Sequence, residues 1–254
     1  MFIDSHCHLN FPDLVDRLED IYQLMRDNDV SHALCISVDL ESFPQVLAIA
    51  QSRKNLYASV GVHPDYDGRI EPSVEELVRL AEDPKVVAIG ETGMDFYRTP
   101  GPSACQQSRF RVHIRAAVQA GKPLVVHTRA ASEDTLRIMR EERAGEAGGV
   151  MHCFTEGMDV ASAALDLGFY VSFSGIVTFK NAKSLKEVAQ TVPLDRMLIE
   201  TDSPYLAPAP FRGRPNEPGY VKYVAEEIAR LKDISVGEVG EVTSQNFRRL
   251  FLKD

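Results

Sequence analysis

The sequence predicts one TIM (β/α)8 barrel domain over residues 1–254, and three observations carry that expectation. The chain has 254 residues, 44% hydrophobic and 26% charged, which matches the roughly 250 residues typical of such a barrel. Short runs rich in Val and Ile recur along its whole length. Between them lie segments with apolar residues at three- and four-residue intervals, so strand and helix alternate.

In chain order the runs are FIDSH (2–6), ALCISV (33–38), LYASVGVH (56–63), VVAIGE (86–91), PLVVH (123–127), GVMHCF (149–154), FYVSFSG (169–175) and MLIETD (197–202). Each is almost continuously apolar, the pattern of parallel strands covered by helices. Helical spacing is clearest at Leu14, Leu18, Ile21, Leu24 and Met25, and again at Val74, Leu77, Val78 and Ala81. Ser73 with Glu76, and Ser235 with Glu238, have the spacing of a capping box. A doubly wound open sheet is the competing architecture, but about eight strand–helix units in about 250 residues is the arithmetic of a closed barrel. No linker or low-complexity tract divides the chain. Its richest Pro and Gly stretch, SPYLAPAPFRGRPNEPGY (203–220), follows the last strand as a long loop over one mouth.

The N-terminus, MFIDSHCHLN, turns polar after three residues, which does not match a secretory leader. No window reaches the roughly 18 apolar residues of a membrane helix. A cytoplasmic protein without membrane association or a stable protein partner is expected. Cys7, Cys35, Cys105 and Cys153 do not make a disulfide framework in a chain of this length. Strand alternation turns Cys7 and Cys153 away from the neighbouring histidines and into the core. The net charge of -9 argues against a broad basic surface for duplex binding. It is compatible with a nucleic-acid enzyme whose acidic pocket becomes locally positive once divalent cations occupy it.

In barrels the catalytic groups sit at the C-terminal ends of the strands. Here those ends carry His6 and His8, His63, Glu91, His127, His152 and Asp202, and so most of the chain's 7 histidines. A convergent set of imidazoles and carboxylates is how proteins hold divalent metals. His6 and His8 project to the same side of a strand and can share one ion with Asp202. Glu91 closes an otherwise apolar run, where an unpaired charge is costly; it either bridges two metals or pairs with an Arg at the mouth. His127 and His152 then join Glu91 on a second ion. His63, constrained by the following Pro64, is assigned to substrate as a phosphate contact or proton donor, against a purely structural role. Arg129, two residues beyond His127, reaches either a phosphate or a loop carboxylate. Glu200 shares the face of Asp202 one layer deeper, where it orients a ligand or fills the barrel as a paired acid. His32 and His113 receive no role.

On these residues the chain resembles the TatD family of metal-dependent deoxyribonucleases, within the wider amidohydrolase-like group of barrels. The matching blocks are FIDSHCHLN, GVHP, IGETGMDFY, HTR, MHCF, SFSG, LIETDSPYL, RGRPNEP and NFRRLF, which span the chain. The resemblance implies a TIM barrel, two divalent cations (Mg, Mn or Zn) and phosphodiester hydrolysis, typically as an exonuclease working from the 3′ end of single-stranded DNA or RNA. His6, His8, Glu91, His127, His152 and Asp202 stand where that family places its metal ligands, and His63 where it places a substrate contact. Phe96 and Arg98 stand where the family often has Tyr, which leaves nucleotide preference open. Nitrogen-rich ligation suits Zn, Mn or Fe better than Mg.

The expected mechanism has a water attacking phosphorus with Asp202 as general base, Glu91 between the two cations, and His63 and Arg129 holding the phosphate. Bases stack on Tyr205 or Phe211, or those rings pack within the loop. The main rival is hydrolysis of a small ester, amide, lactone or aminoacyl bond, because the same centre polarises a carbonyl as readily; the acidic surface points that way. A non-enzymatic metal sensor or scaffold fits less well, since a structural zinc site is usually closed with four ligands.

Overall fold

A computed structural model of the chain describes residues 1–65, 70–97 and 103–252; Arg98 lies outside them. Eight strands follow one another in the expected order: β1 (Phe2–Cys7), β2 (Val30–Cys35), β3 (Leu56–Val60), β4 (Val86–Asp95), β5 (Leu124–Arg129), β6 (Gly149–Met151), β7 (Tyr170–Phe173) and β8 (Met197–Ile199). Each pairs in parallel with the next in one sheet ordered β1 to β8. The helices between and after them are α1 (Pro12–Val15), α2 (Leu18–Asp27), α3 (Phe43–Gln51), α4 (Val74–Leu80), α5 (Ala104–Ala120), α6 (Ser132–Glu141), α7 (Met158–Asp166), α8 (Lys183–Thr191), α9 (Val221–Lys232) and α10 (Val236–Phe247). Both capping boxes start their helices: Ser73 Oγ accepts from the Glu76 amide and Ser235 Oγ from the Glu238 amide, each at 3.1 Å. None of the described helices is long and apolar enough to cross a membrane.

The ring closes just beyond β8, and that closure positions the site. The Asp202 amide donates to His6 O at 2.9 Å, and the His8 amide donates to Ser203 O at 2.8 Å. The backbone therefore sets Asp202 beside the two histidines of β1. Asp202 takes a left-handed conformation there, with φ of 56°, an uncommon state for a residue with a side chain. The loop that follows is pinned by Asn216, whose Nδ2 donates to Thr201 O and Tyr205 O at 2.8 and 2.7 Å. A second tie joins Glu217 to Arg17 at 2.7 Å.

Strand β4 departs from the expectation that it ends at Glu91. It runs on to Asp95, with Gly93 opposite His127 and Asp95 opposite Arg129. A glycine inside a strand can mark a close approach of backbones. Gly93 is such a case: its φ is 139°, and a Cβ there would lie 1.9 Å from His127 O. The main core between sheet and helices includes Leu56, Val60, Phe110, Ile114, Phe169 and Ile228, all fully buried. A second cluster gathers residues from early in the strands, among them Ile3, Val87, Val125, Val150 and Leu198, with Phe247 and Phe251. The apolar filling at that end leaves the opposite strand ends to polar groups.

Candidate metal centre

The strand ends bring His6, His8, His63, Glu91, His127, His152 and Asp202 into one cluster. Glu91, on β4, stands at its centre. Its Oε2 lies 3.3 Å from His6 Nε2 and 3.9 Å from His8 Nε2. Its Oε1 lies 2.8 Å from His152 Nε2, 3.1 Å from His127 Nδ1 and 3.4 Å from His63 Nε2. Asp202 Oδ1 completes the Oε2 side, 3.4 Å from His8 Nε2 and 3.6 Å from His6 Nε2. The two oxygens of one carboxylate thus face two different sets of donors.

These spacings fit a cation shell. Metal–ligand bonds of about 2.0–2.1 Å separate neighbouring ligands by about 2.8–3.4 Å in octahedral or tetrahedral geometry. Among the described residues, three groups offer donor atoms within 4.8 Å of one another: His6, His8 and Glu91; His6, His152 and Asp202; and His63, Glu91 and His127. His6 Nε2 and His8 Nε2 face each other at 3.3 Å. His8 directs its Nδ1 to Ile36 O at 3.3 Å, so its Nε2 presents a lone pair to the cluster. His152 Nε2, although close to Glu91, is out of hydrogen-bond alignment and is one of the buried polar atoms with no hydrogen-bond partner. His6 and His152 stack with ring centroids 3.8 Å apart, which makes His152 a neighbour of both donor sets.

The electrostatics also call for positive charge. Burial alone would raise the Glu91 carboxyl, but the surrounding imidazoles, His152 above all, outweigh it and hold Glu91 well below its ordinary value. Burial would likewise raise Asp202, and the neighbouring imidazoles of His8, His6 and His152 reverse the sign. Burial would lower His152, yet Glu91 and Glu200 draw it well above the usual imidazole range. His127 is raised against burial by Asp95 and Glu91. A divalent cation bound to these nitrogens would satisfy the carboxylates and displace the protons.

His63 meets the distance test but differs in chemistry. Its Nδ1 accepts from the Asp65 amide at 3.1 Å, so the neutral ring carries its proton on Nε2 and offers a donor to the cleft. Burial pushes it below the ordinary imidazole value, so this donor is a neutral N–H in place of an imidazolium. The loop bearing it is held from α5. Arg109 Nη1 donates to His63 O and Pro64 O at 2.8 and 3.1 Å, and its guanidinium pairs with Glu71.

His113, to which the sequence assigned no role, accepts the Val62 amide on Nε2 at 2.9 Å and reaches Arg109 O through Nδ1 at 2.8 Å. Burial pushes its pKa from 6.5 down to about 4. Because the folded value lies below the unfolded one, the unfolded chain takes up the proton first as the medium acidifies. The stabilisation is complete above about pH 6.5 and is lost as pH falls towards 4. Denaturant titration of the metal-free protein is expected to show His113→Gln losing about 2–3 kcal/mol less stability than wild type between pH 7 and 4.5. Equal losses in the two proteins would contradict this.

The rim of the cleft, which holds about 540 Å³, combines these donors with Phe11, Ile176, Tyr205 and Arg129. Arg129 is exposed and lies over the Tyr97 ring at 3.8 Å; among the described residues no carboxylate pairs with it. Tyr205 is 54% exposed and meets Phe11 edge-on. Phe211 instead stacks on Tyr220 at 4.1 Å and contacts Tyr223, the packing alternative. Cys7 is fully buried as expected. Cys153 is not core: it lines the cleft with φ of 44°, its Sγ 3.2 Å from Ser174 Oγ. The left-handed turn after β6 breaks the strand alternation on which that expectation rested.

Two supporting carboxylates complete the arrangement. Glu200 Oε1 accepts from His152 Nδ1 at 3.1 Å and from the Cys153 amide at 2.7 Å, the orienting role. Asp95, which sequence reasoning missed, sets Oδ2 3.1 Å from His127 Nε2. The signal was present: Glu91, Gly93 and Asp95 share one face of a period-two strand.

A barrel with imidazoles and carboxylates gathered at one mouth defines the class of metal-dependent barrel hydrolases. The chain belongs to the TatD-related DNase family, whose family model, described as TatD related DNase, matches residues 3–252. It is 47% identical over 257 residues to the Escherichia coli K12 protein named uncharacterized metal-dependent hydrolase YcfH, covering 98% of this chain and 95% of that one. It is 33% identical over 233 residues to the Edwardsiella piscicida protein named 3′-5′ ssDNA/RNA exonuclease TatD, covering 89% and 90%. The crystal structure of YJJV, a TatD homologue from Escherichia coli K12, is similar with a TM-score of 0.90 at 27% identity, covering 99% and 98%.

Proposed function

We propose that this protein is a two-metal phosphodiesterase that removes nucleotides from the 3′ end of single-stranded DNA, with RNA as a second substrate. The observation that carries the reading is the split carboxylate of Glu91, one oxygen towards His6, His8 and Asp202 and the other towards His127 and His152. The name of the Edwardsiella relative supports the substrate. His6, His8 and Asp202 would hold one divalent cation and His127 and His152 the other, Mg, Mn or Zn, with one Glu91 oxygen available to each set. When bound, such a pair stabilises the charge that develops on the phosphoryl oxygens.

The chain's own groups supply the rest. Asp202, kept ionised by its histidine neighbours, accepts the proton of the attacking water as general base. His63 Nε2–H, which lines the cleft beside Glu91, donates to a phosphate oxygen. Arg129, at the rim, presents its guanidinium to the phosphate. Tyr205 and Phe11 offer a stacking wall for a base.

A carbonyl hydrolase is the second reading, favoured by the apolar part of the wall, Val38, Ile176 and Leu206. Chelated protein resupplied with Mn²⁺ or Zn²⁺ separates the two when a single-stranded oligonucleotide, a phenyl ester and a lactone are assayed side by side. Oligonucleotide hydrolysis at least about a hundredfold faster in kcat/KM, about 3 kcal/mol of transition-state preference, is expected. Ester or lactone turnover without oligonucleotide cleavage would replace the nuclease by the carbonyl hydrolase.

A further inference from the structure

Asp95 is placed to decide which nitrogen of His127 faces the cluster. Its Oδ2 lies 3.1 Å from His127 Nε2, while His127 Nδ1 lies 3.1 Å from Glu91 Oε1. The opposite face of the same carboxylate accepts the Tyr97 amide on Oδ1 at 2.9 Å. Asp95 is 2% exposed, and its own amide is fixed by Gln106 Oε1 at 3.0 Å. The carboxylate therefore has little freedom to turn, and both of its oxygens must accept.

The contrast with His152 sharpens the point. His152 presents Nε2 to Glu91 and gives Nδ1 to Glu200. His127 presents Nδ1 and gives Nε2 to Asp95. Two imidazoles on one side of Glu91 thus face it through opposite ring nitrogens, each backed by its own carboxylate. A partner on the remote nitrogen fixes which nitrogen keeps the proton.

We infer that Asp95 is a positioning residue that locks His127 with its proton on Nε2 and its Nδ1 lone pair towards the metal centre. The inference rests on His127 as a metal donor and is independent of the substrate. Asparagine cannot replace aspartate here, although it matches it in size. With the amide oxygen of the substituted side chain on the Tyr97 amide, its NH₂ would face His127 Nε2 and favour the ring form protonated on Nδ1, which has no lone pair for a metal. The same exchange in the serine-protease triad acts through the wrong tautomer. Alanine removes the partner without imposing that form.

Two measurements on the full chain test this. Calorimetric zinc titration of chelated wild type, Asp95→Asn and Asp95→Ala is expected to show one site weakened about 10- to 100-fold in Asp95→Asn, and weakened more than in Asp95→Ala. A residue that merely fills space gives the reverse order, since asparagine preserves volume and polarity. Long-range ¹H–¹⁵N spectra of zinc-loaded wild type read the ring directly, whether or not the variants fold. A His127 signal with Nε2–H and metal-shifted Nδ1 is expected. Wild-type affinity in Asp95→Asn, a greater loss in Asp95→Ala, or a His127 ring bound through Nε2 would overturn the inference. An inactive protein that passes both tests would count against the nuclease reading alone.

Discussion

Replacement of Glu91 by alanine is expected to lower metal-dependent hydrolysis at least about a thousandfold, roughly 4 kcal/mol of transition-state stabilisation, and to reduce the bound cations from two to one or none. Both of its oxygens are committed, Oε2 to the β1 histidines and Oε1 to His127 and His152, so one substitution removes a donor from each set. Alanine also leaves raised His152 without the strongest of the charges that hold it there, which weakens the electrostatic demand for a metal. Turnover against a single-stranded oligonucleotide, with metal content measured on the same sample, checks the point. Activity within tenfold of wild type with two ions retained would show that Glu91 does not bridge.

Gly93→Ala is expected to cost at least about 3 kcal/mol of stability, a fall in Tm of about 6–12 °C for a chain of this size, and to weaken metal binding as well. The added Cβ would sit 1.9 Å from His127 O and 2.9 Å from His127 C, both backbone atoms, at a φ of 139°. No side-chain rotation relieves that contact, so β4 and β5 must separate where Gly93 pairs with His127. The shift falls between Glu91 and Asp95, the two carboxylates that contact the His127 ring. Denaturant midpoints and zinc titration of the two proteins report both effects. A change below about 1 kcal/mol with unaltered zinc affinity would show that the strands accommodate a methyl group here.

The barrel was legible because its signals are redundant. Eight apolar runs, the spacing between them and two capping boxes all require the same alternation, and the observed strands overlap every predicted run. The clustering of the histidines was legible for a related reason: imidazoles that terminate successive buried runs of one barrel converge on the same mouth. What sequence could not supply was the backbone path at the mouth. Glu91 reads as a strand end because it closes an apolar run, yet β4 continues and brings Asp95 onto the same face. Cys153 reads as an alternate, inward residue, but its left-handed φ turns it to the cleft. Tertiary contacts decided both, through the register with β5 and the hold of Glu200 on the Cys153 amide.

Asn216 illustrates a third kind of limit. It lies in the Pro-rich RGRPNEP block, which does not say what the side chain meets, yet it secures the turn after Asp202 by two backbone carbonyls. Long-range hydrogen bonds of this sort depend on where the barrel closes. His113 is similar: its helical stretch gave it no role, yet it is fully buried and holds the amide of Val62 next to His63.

The measurement that tests the central claim most directly is the end-resolved degradation of a single-stranded DNA oligonucleotide labelled at either end. Wild type and Glu91→Ala would be compared after chelation and after return of Mg²⁺, Mn²⁺ or Zn²⁺. Stepwise shortening of the 5′-labelled strand from its 3′ end, dependent on metal and lost in Glu91→Ala, is the predicted result. An intact oligonucleotide with every metal, or cleavage that persists after chelation or in Glu91→Ala, would contradict it.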